Sequence, residues 1–183
     1  KNATHLNIDL NIKARDGSTA FSLACQSGQS DVVKIFMEIA TVLEIDLNAT
    51  DEEGWTGFHY ACQQGNANMV KIFMDNAAPL GINLNAKCKS EYRNIHCSGD
   101  FTAFHLTCRK GHSNVVKILM DNAVALSINL NELDNEGNTA FHWACLKGKS
   151  DIVKLFMENA SGLNIDFNTK SRSGWTGFIW ACY

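Results

Sequence analysis

GNTAFHWACLKG, residues 137–148, decides the fold, because the chain writes it five times with small changes. GSTAFSLACQSG (17–28), GWTGFHYACQQG (54–65), DFTAFHLTCRKG (100–111) and GWTGFIWACY (174–183) align with it without gaps. Thr19, Thr56, Thr102, Thr139 and Thr176 are spaced 37, 46, 37 and 37 apart, and the 46 is one period plus nine inserted residues. Self-similarity at a period of this size marks units that each bury a face against the next.

A second block follows each of the first four: DVVKIFMEIA (31–40), NMVKIFMDNA (68–77), NVVKILMDNA (114–123) and DIVKLFMENA (151–160). The first block predicts a short helix stopped by Gly28, Gly65, Gly111 or Gly148, since glycine accepts the left-handed conformation of a helix end. The second predicts a helix capped by Ser30, Ser113 or Ser150, with Asp31 and Asp151 at the positive end of its dipole. Val33, Phe36, Ala40 and Leu43 form one apolar helical stripe. Each unit closes on an asparagine (Asn11, Asn48, Asn85, Asn131, Asn168) before a Gly-containing turn, where its side chain is expected to bond backbone groups.

The bulk numbers narrow the function. The chain has 183 residues, of which 45% are apolar, enough for a core. Its net charge of −3 lacks the basic excess that neutralises phosphates, so no nucleic acid is expected as a partner. No apolar run reaches the ~18–20 residues of a membrane span, so no membrane insertion is expected.

These residues resemble the ankyrin repeat: Gly-x-Thr-Ala-Phe-His-x-Ala-Cys-x-x-Gly, then Val-Val-Lys, then an Asn-bearing turn. The resemblance covers essentially the whole chain. It implies an all-α solenoid of stacked helix–turn–helix units with β-hairpin-like fingers, which acts by binding proteins on its concave face. A single domain over 1–183 is expected: 1–13 the end of a preceding repeat, 14–50, 51–96, 97–133 and 134–170 four repeats, and 171–183 the start of a fifth. Residues 6–11 match 163–168, so the chain is expected to be a piece of a longer array.

The sequence departs from the family pattern in four respects. Ala20, Gly57, Ala103, Ala140 and Gly177 replace the family's usual Pro after Thr. Four additional residues (41–44, 78–81, 124–127, 161–164) lengthen each second helix by roughly one turn, about 6 Å. That turn is expected to be irregular where Pro79 and Gly162 fall in it. Nine residues are inserted between Asn85 and Asp100, and Ser22 and Ile179 replace His.

Candidate chemistry reads mainly as structure. Cys25, Cys62, Cys108, Cys145 and Cys182 hold one position in each unit. Packed helices lie ~8–10 Å apart, and a disulfide needs Cα atoms at ~4.4–6.8 Å. Reduced thiols are therefore expected, which fits a cytoplasmic, intracellular setting. His59, His105 and His142 each follow a Thr by three residues, and the resemblance implies a Thr–His hydrogen bond tying finger to helix. The His-x-x-Cys pairs recur in three units, whereas a catalytic centre is normally singular, so no enzyme is expected. Cys88, His96 and Cys97 lack a recognised zinc spacing, so neither metal nor cofactor is expected, nor is a small-molecule substrate.

The expected partner is another protein, met by finger tips and first helices. The candidate residues are Trp55, Phe101 and Trp175, which replace polar Ser18 and Asn138 of equivalent positions, together with Glu52, Glu53, Gln63, Gln64, Arg109, Lys110, Asn138, Lys147 and Arg172. Aromatic and Arg side chains dominate binding hot spots. The competing reading packs each ring on its own finger. Tyr92 and Arg93 join the candidates because the inserted finger is where the repeat symmetry breaks. A structural spacer within a larger protein is the alternative function, and rings tucked into the fingers would favour it.

Overall fold

Each threonine of the repeated block opens a helix with its own side chain. The Thr19 hydroxyl accepts the N–H of Ser22 at 3.2 Å, and Thr56, Thr102 and Thr139 accept those of His59, His105 and His142 at 3.4 Å. The third residue answers by accepting the N–H of the Thr, which closes a capping box on these four helices.

The computed structural model describes residues 8–89 and 99–183. The elements in chain order are α1 Ala20–Gln26, α2 Ser30–Ile39, α3 Gly57–Gln63, α4 Ala67–Leu80, β1 Lys87–Cys88, β2 Phe101–Thr102, α5 Ala103–Lys110, α6 Ser113–Asn122, α7 Ala140–Leu146, α8 Ser150–Leu163 and α9 Gly177–Cys182. Helices α1, α3, α5, α7 and α9 pack successively in one row. Helices α2, α4, α6 and α8 form a second row, each against the first-row helix of its own unit. This is the all-α, helix–turn–helix stack that the repeats predicted. Residues 1–7 of the preceding repeat's end expected over 1–13, and residues 90–98 of the inserted stretch, Tyr92, Arg93, His96 and Cys97 among them, lie outside the described residues.

The core runs between the rows. Phe21, Phe58, Phe104 and Phe141, one per unit, are buried against Phe36, Phe73 and Phe156 of the second row. Each fully buried phenylalanine stabilises the fold by about 1.5–3 kcal/mol. Glycine ends the first helices as predicted: Gly65 has φ +69°, and the N–H of Asn66 reaches back to the Ala61 carbonyl at 3.3 Å. A methyl group on Gly65 would meet the His112 ring at 2.5 Å, so a side chain is excluded by space as well as by backbone.

Two helix expectations are corrected. Ser30, Ser113 and Ser150 are first helical residues rather than caps; Gln29, His112 and Lys149 precede them and give no side-chain cap. Among the second-row helices only α4 has a side-chain cap, from Asn66 to the N–H of Met69 at 3.1 Å. Asp31 and Asp151 do lie in first turns.

The extra turn is also reversed from expectation. It continues the helix where Pro79 and Gly162 fall, in α4 and α8, and breaks from it after Ile39 and Asn122. Pro79 sits in the last turn on the exposed side. Thr41 and Val124, β-branched and crowded against the preceding turn, stand where α4 and α8 have Ala78 and Ser161. All four units still finish alike, with a left-handed residue: Glu44, Gly81, Ser127 or Asn164. Bonds from Ile45 N–H to the Ala40 carbonyl, and equivalently Ile82 to Ala77, Ile128 to Ala123 and Ile165 to Ala160, close each turn.

The turn asparagines bond backbone as expected, but the backbone belongs to the next unit. Asn48 Nδ2 donates to the Gly81 carbonyl at 2.9 Å, and its Oδ1 accepts the N–H of Asn83 at 2.8 Å. Asn11 reaches Glu44 and Asp46, Asn85 reaches Ser127 and Asn129, and Asn131 reaches Asn164 and Asp166 in the same way. One carboxamide thus satisfies both a helix-terminal carbonyl and the N–H beyond it.

Candidate functional site

The finger side of the stack is built outward from the threonine boxes. The backbone N–H of Thr56, Thr102 and Thr139 donates to Nδ1 of the following histidine at 3.1, 3.2 and 3.1 Å. A ring nitrogen that accepts an N–H carries no proton, so these imidazoles are neutral, with hydrogen on Nε2. Nε2 of His105 then donates to the Asn138 carbonyl, and Nε2 of His142 to the Trp175 carbonyl, both at 3.2 Å. The rings of His105 and His142 therefore join their helices to the finger of the next unit. Burial pushes the His59 pKa down to about 4 and lowers those of His105 and His142. The Thr–His bond implied by the resemblance is present in all three units.

The fingers are slight. The two-residue antiparallel ladder pairs Lys87 with Thr102 and Cys88 with Phe101. Elsewhere the tips join by single backbone bonds, Glu52 N–H to the Asp16 carbonyl at 3.0 Å and Arg172 N–H to the Glu136 carbonyl at 2.8 Å. Two aspartates organise the turns. Asp51 Oδ1 accepts the N–H groups of Glu53 and Trp55, both at 2.9 Å, and its Oδ2 accepts the Tyr60 hydroxyl at 2.5 Å. Asp134 Oδ1 accepts the N–H groups of Glu136 at 2.9 Å and Asn138 at 2.8 Å, and its Oδ2 accepts the Trp143 indole N–H at 2.8 Å.

Between fingers and first helices lies a second small core of Trp55, Cys88, Phe101, Leu106 and Trp143. Phe101 is 0% exposed and Trp55 5%. Trp55 packs on Tyr60 with centroids 5.1 Å apart, and Phe101 on Trp143 at 5.3 Å. The expectation that these two rings stand open to a partner is therefore corrected: they fill the space under the fingers. Arg109, 9% exposed, lies with its Cζ 5.8 Å from the Phe101 centroid and 5.2 Å from that of Trp143. Asn138 is likewise buried, with Nδ2 directed at the Asp134 carboxylate.

The other candidates remain at the surface. Glu52, Glu53, Gln64, Lys147 and Arg172 are exposed, and Gln63, Lys110 and Trp175 half-buried. Gln64 Nε2 donates to the Gln26 carbonyl, and the Gln63 carbonyl accepts His112 Nε2 at 2.8 Å, so both also join units. Trp175 stacks with Trp180 at 4.6 Å.

The fifth unit differs at one point the sequence reading overlooked. Ser171 stands where Asp51 and Asp134 stand earlier, and Trp180 Nε1 is buried without an acceptor. Ser171 and Trp180 line a cleft of about 270 Å³ together with Glu136, Asn138, Trp143, Leu146 and Ser173.

Cys25, Cys62, Cys108 and Cys145 are buried free thiols, Cys88 is buried in the small core under the fingers, and Cys182 is an exposed free thiol. Burial pushes the Cys62 pKa up to about 12 and that of Cys145 to about 11, the wrong direction for a nucleophile. Among the described residues, no helix is long and apolar enough to cross a membrane.

The family model for ankyrin repeats (3 copies) matches residues 2–88 and 81–171. No curated protein matches the chain.

Proposed function

This chain belongs to the ankyrin-repeat family, whose repeats generally serve as protein–protein interaction modules, and on that premise we propose that it recognises another protein through its finger tips and first helices. One observation carries the reading. Buried positions repeat, as in Phe21, Phe58, Phe104 and Phe141, whereas outward positions of the same helices do not. Gln26, Gln63 and Leu146 share one phase, at which Arg109 of the third unit is instead turned in over Phe101 and Trp143, and Ser27, Gln64, Lys110 and Lys147 share the next. Packing sets the repeating residues; the varying ones are open to a partner's chemistry.

The surface assigned to the partner comprises Glu52, Glu53, Gln63, Gln64, Lys110, Lys147, Trp175 and Arg172, joined by Tyr92 and Arg93 of the inserted finger. The free thiols Cys25, Cys62, Cys108, Cys145 and Cys182 among the described residues support an intracellular, reducing compartment. A variant with Glu52, Glu53, Gln64, Lys147 and Arg172 all changed to Ala should lose partners recovered by quantitative affinity capture. A second variant, with exposed Lys34, Lys117 and Lys154 of the opposite row changed to Ala, should keep them. Equal recovery by both variants would move the binding face elsewhere.

A second reading, a structural spacer within a larger protein, draws support from the burial of Trp55 and Phe101 in their own fingers. It predicts that neither variant changes recovery and that partners map outside residues 1–183.

A further inference from the structure

The first helices end differently in the two halves of the stack. Residues 26–30 and 63–67, at the ends of α1 and α3, carry no charged side chain. Residues 109–113 and 146–150, at the ends of α5 and α7, carry Arg109, Lys110, Lys147 and Lys149 and no acid. A cation in the last turn of a helix answers the negative end of its dipole, which accounts for Arg109 and Lys110 in α5. It does not account for Lys149. That residue immediately precedes α8, where the dipole is positive, and it gives α8 no side-chain cap. Gln29, Asn66 and His112 hold the same place in the other units.

We propose that the ends of α5 and α7 receive an acidic segment of a protein partner, its carboxylates held by Lys147 and Lys149. The proposal rests on the reading of this side as a protein-recognition surface, and names the chemistry of the segment it takes.

The two ammonium groups are placed for that role. Lys149 runs back across the third unit: a methyl group on Gly111 would meet its Cδ and Cε at 3.0 Å and its Nζ at 3.2 Å. Its charge is thereby carried from the start of α8 to the end of α5. Lys147, the residue that closes α7, is exposed. Among the described residues neither lysine forms an ion pair, whereas Lys34, Lys117 and Lys154 of the second row each meet a carboxylate four residues on. Asp151, the nearest acid along the chain, lines a groove of the second row with Ser113, Asn114, Lys117 and Lys154. Arg109, turned in over Phe101 and Trp143, does not belong to this surface.

Other occupants fit less well. A nucleic acid draws its affinity from many phosphate contacts, and two lysines on a chain of net charge −3 supply too few. A basic segment would be repelled. An apolar one would strip water from both ammonium groups without replacing it. A short run of Asp or Glu meets both cations and leaves the rest of the partner to the neighbouring finger tips.

The test uses the whole 183-residue chain and a fluorescein-labelled dodecapeptide of alternating Glu and Ala, read by fluorescence anisotropy at low salt. Saturable binding is expected, weakened about tenfold by Lys147→Glu/Lys149→Glu and about threefold by Lys147→Gln, since each exposed charge contact contributes modestly. Lys117→Glu/Lys154→Glu changes the net charge equally and should weaken binding less than about twofold, because salt screens distant charges. The same peptide with Gln in place of Glu should not bind. Melting temperatures within a few degrees of wild type identify the folded variants, and Lys147→Gln decides alone if the charge reversals unfold the chain. Equal weakening by the two double variants would overturn the proposal, as would unchanged binding in Lys147→Gln, equal binding of the Gln peptide, or tighter binding of an oligothymidine strand of the same length. Peptide binding by these lysines without any protein captured through this face would instead overturn the function proposed above and leave the lysine assignment standing. Captured partners that survive Lys147→Glu/Lys149→Glu would do the reverse.

Discussion

The two long edges of the stack are written by different rules. Along the asparagine edge every step is the same: Asn11, Asn48, Asn85 and Asn131 each reach a carbonyl and an N–H of the following unit. Along the finger edge each step is its own. Tyr60 meets Asp51, Trp143 meets Asp134 under Arg109, and Trp180 meets no acceptor. The difference lies in the partner. A side chain that binds backbone finds the same partner in any unit, so one residue serves throughout; Glu44, Gly81, Ser127 and Asn164 are equivalent acceptors despite unlike side chains. Contacts between side chains must be written in pairs, so the finger edge can vary step by step.

The comparison can be broken in order of expected effect. Both edges depend on the shared core, so Phe73→Ala should cost about 3–5 kcal/mol in urea unfolding. Phe73 touches Phe21 and Phe58 of two units, and a loss below about 1 kcal/mol would mean that the units do not share one core.

Acid should loosen the finger edge first. His59 titrates near 6.5 when unfolded and near 4 when folded, so below pH 6.5 the unfolded chain binds the proton and the folded chain resists it. The stability this ring contributes is fully present above pH 6.5 and is lost as pH falls through 4. Between pH 7 and pH 5 it should drop by on the order of 2 kcal/mol. A flat profile from pH 7 to 5 would contradict neutral buried imidazoles.

Asn48→Ala, Asn85→Ala and Asn131→Ala should each cost about 1–2 kcal/mol and agree closely with one another, because each leaves one carbonyl and one N–H without their partner. Unequal losses would show that this edge, too, depends on which units meet. Smallest is Ser171→Asp, which restores the residue of the second and fourth units and gives Trp180 Nε1 an acceptor. A gain of about 1 kcal/mol in unfolding free energy is expected, seen as a raised thermal midpoint, with Trp180 buried further; no gain would mean that the fifth unit holds its indole in another direction.

Most of the fold was legible, because period and local chemistry are carried in the same residues. The five threonines, the glycine stops and the apolar stripe required no knowledge of neighbours. The candidate site was legible only in part. That Ser18 and Asn138 fill the positions of Trp55 and Phe101 leaves open whether the rings face a partner or pack on their own fingers, and the burial of Phe101 depends on Trp143, which lies in the next unit. The Asp–aromatic pairing left a usable trace: Asp51 precedes Tyr60 by nine residues and Asp134 precedes Trp143 by nine, while Ala14 precedes Leu23. Helix ends misled for a different reason. Pro79 and Gly162 are poor helix formers but fall in a last turn, where little hydrogen bonding is at stake; the β-branched Thr41 and Val124 decide the matter from a milder propensity.

The asparagine clips all point the same way along the chain. Each is planted in one unit and grips the helix end of the one after it, never the one before. A middle unit such as the one that carries Asn48 therefore stands in two clips at once, the one it extends to Gly81 and Asn83 and the one it receives from Asn11, so loosening it releases four hydrogen bonds spread over both its neighbours.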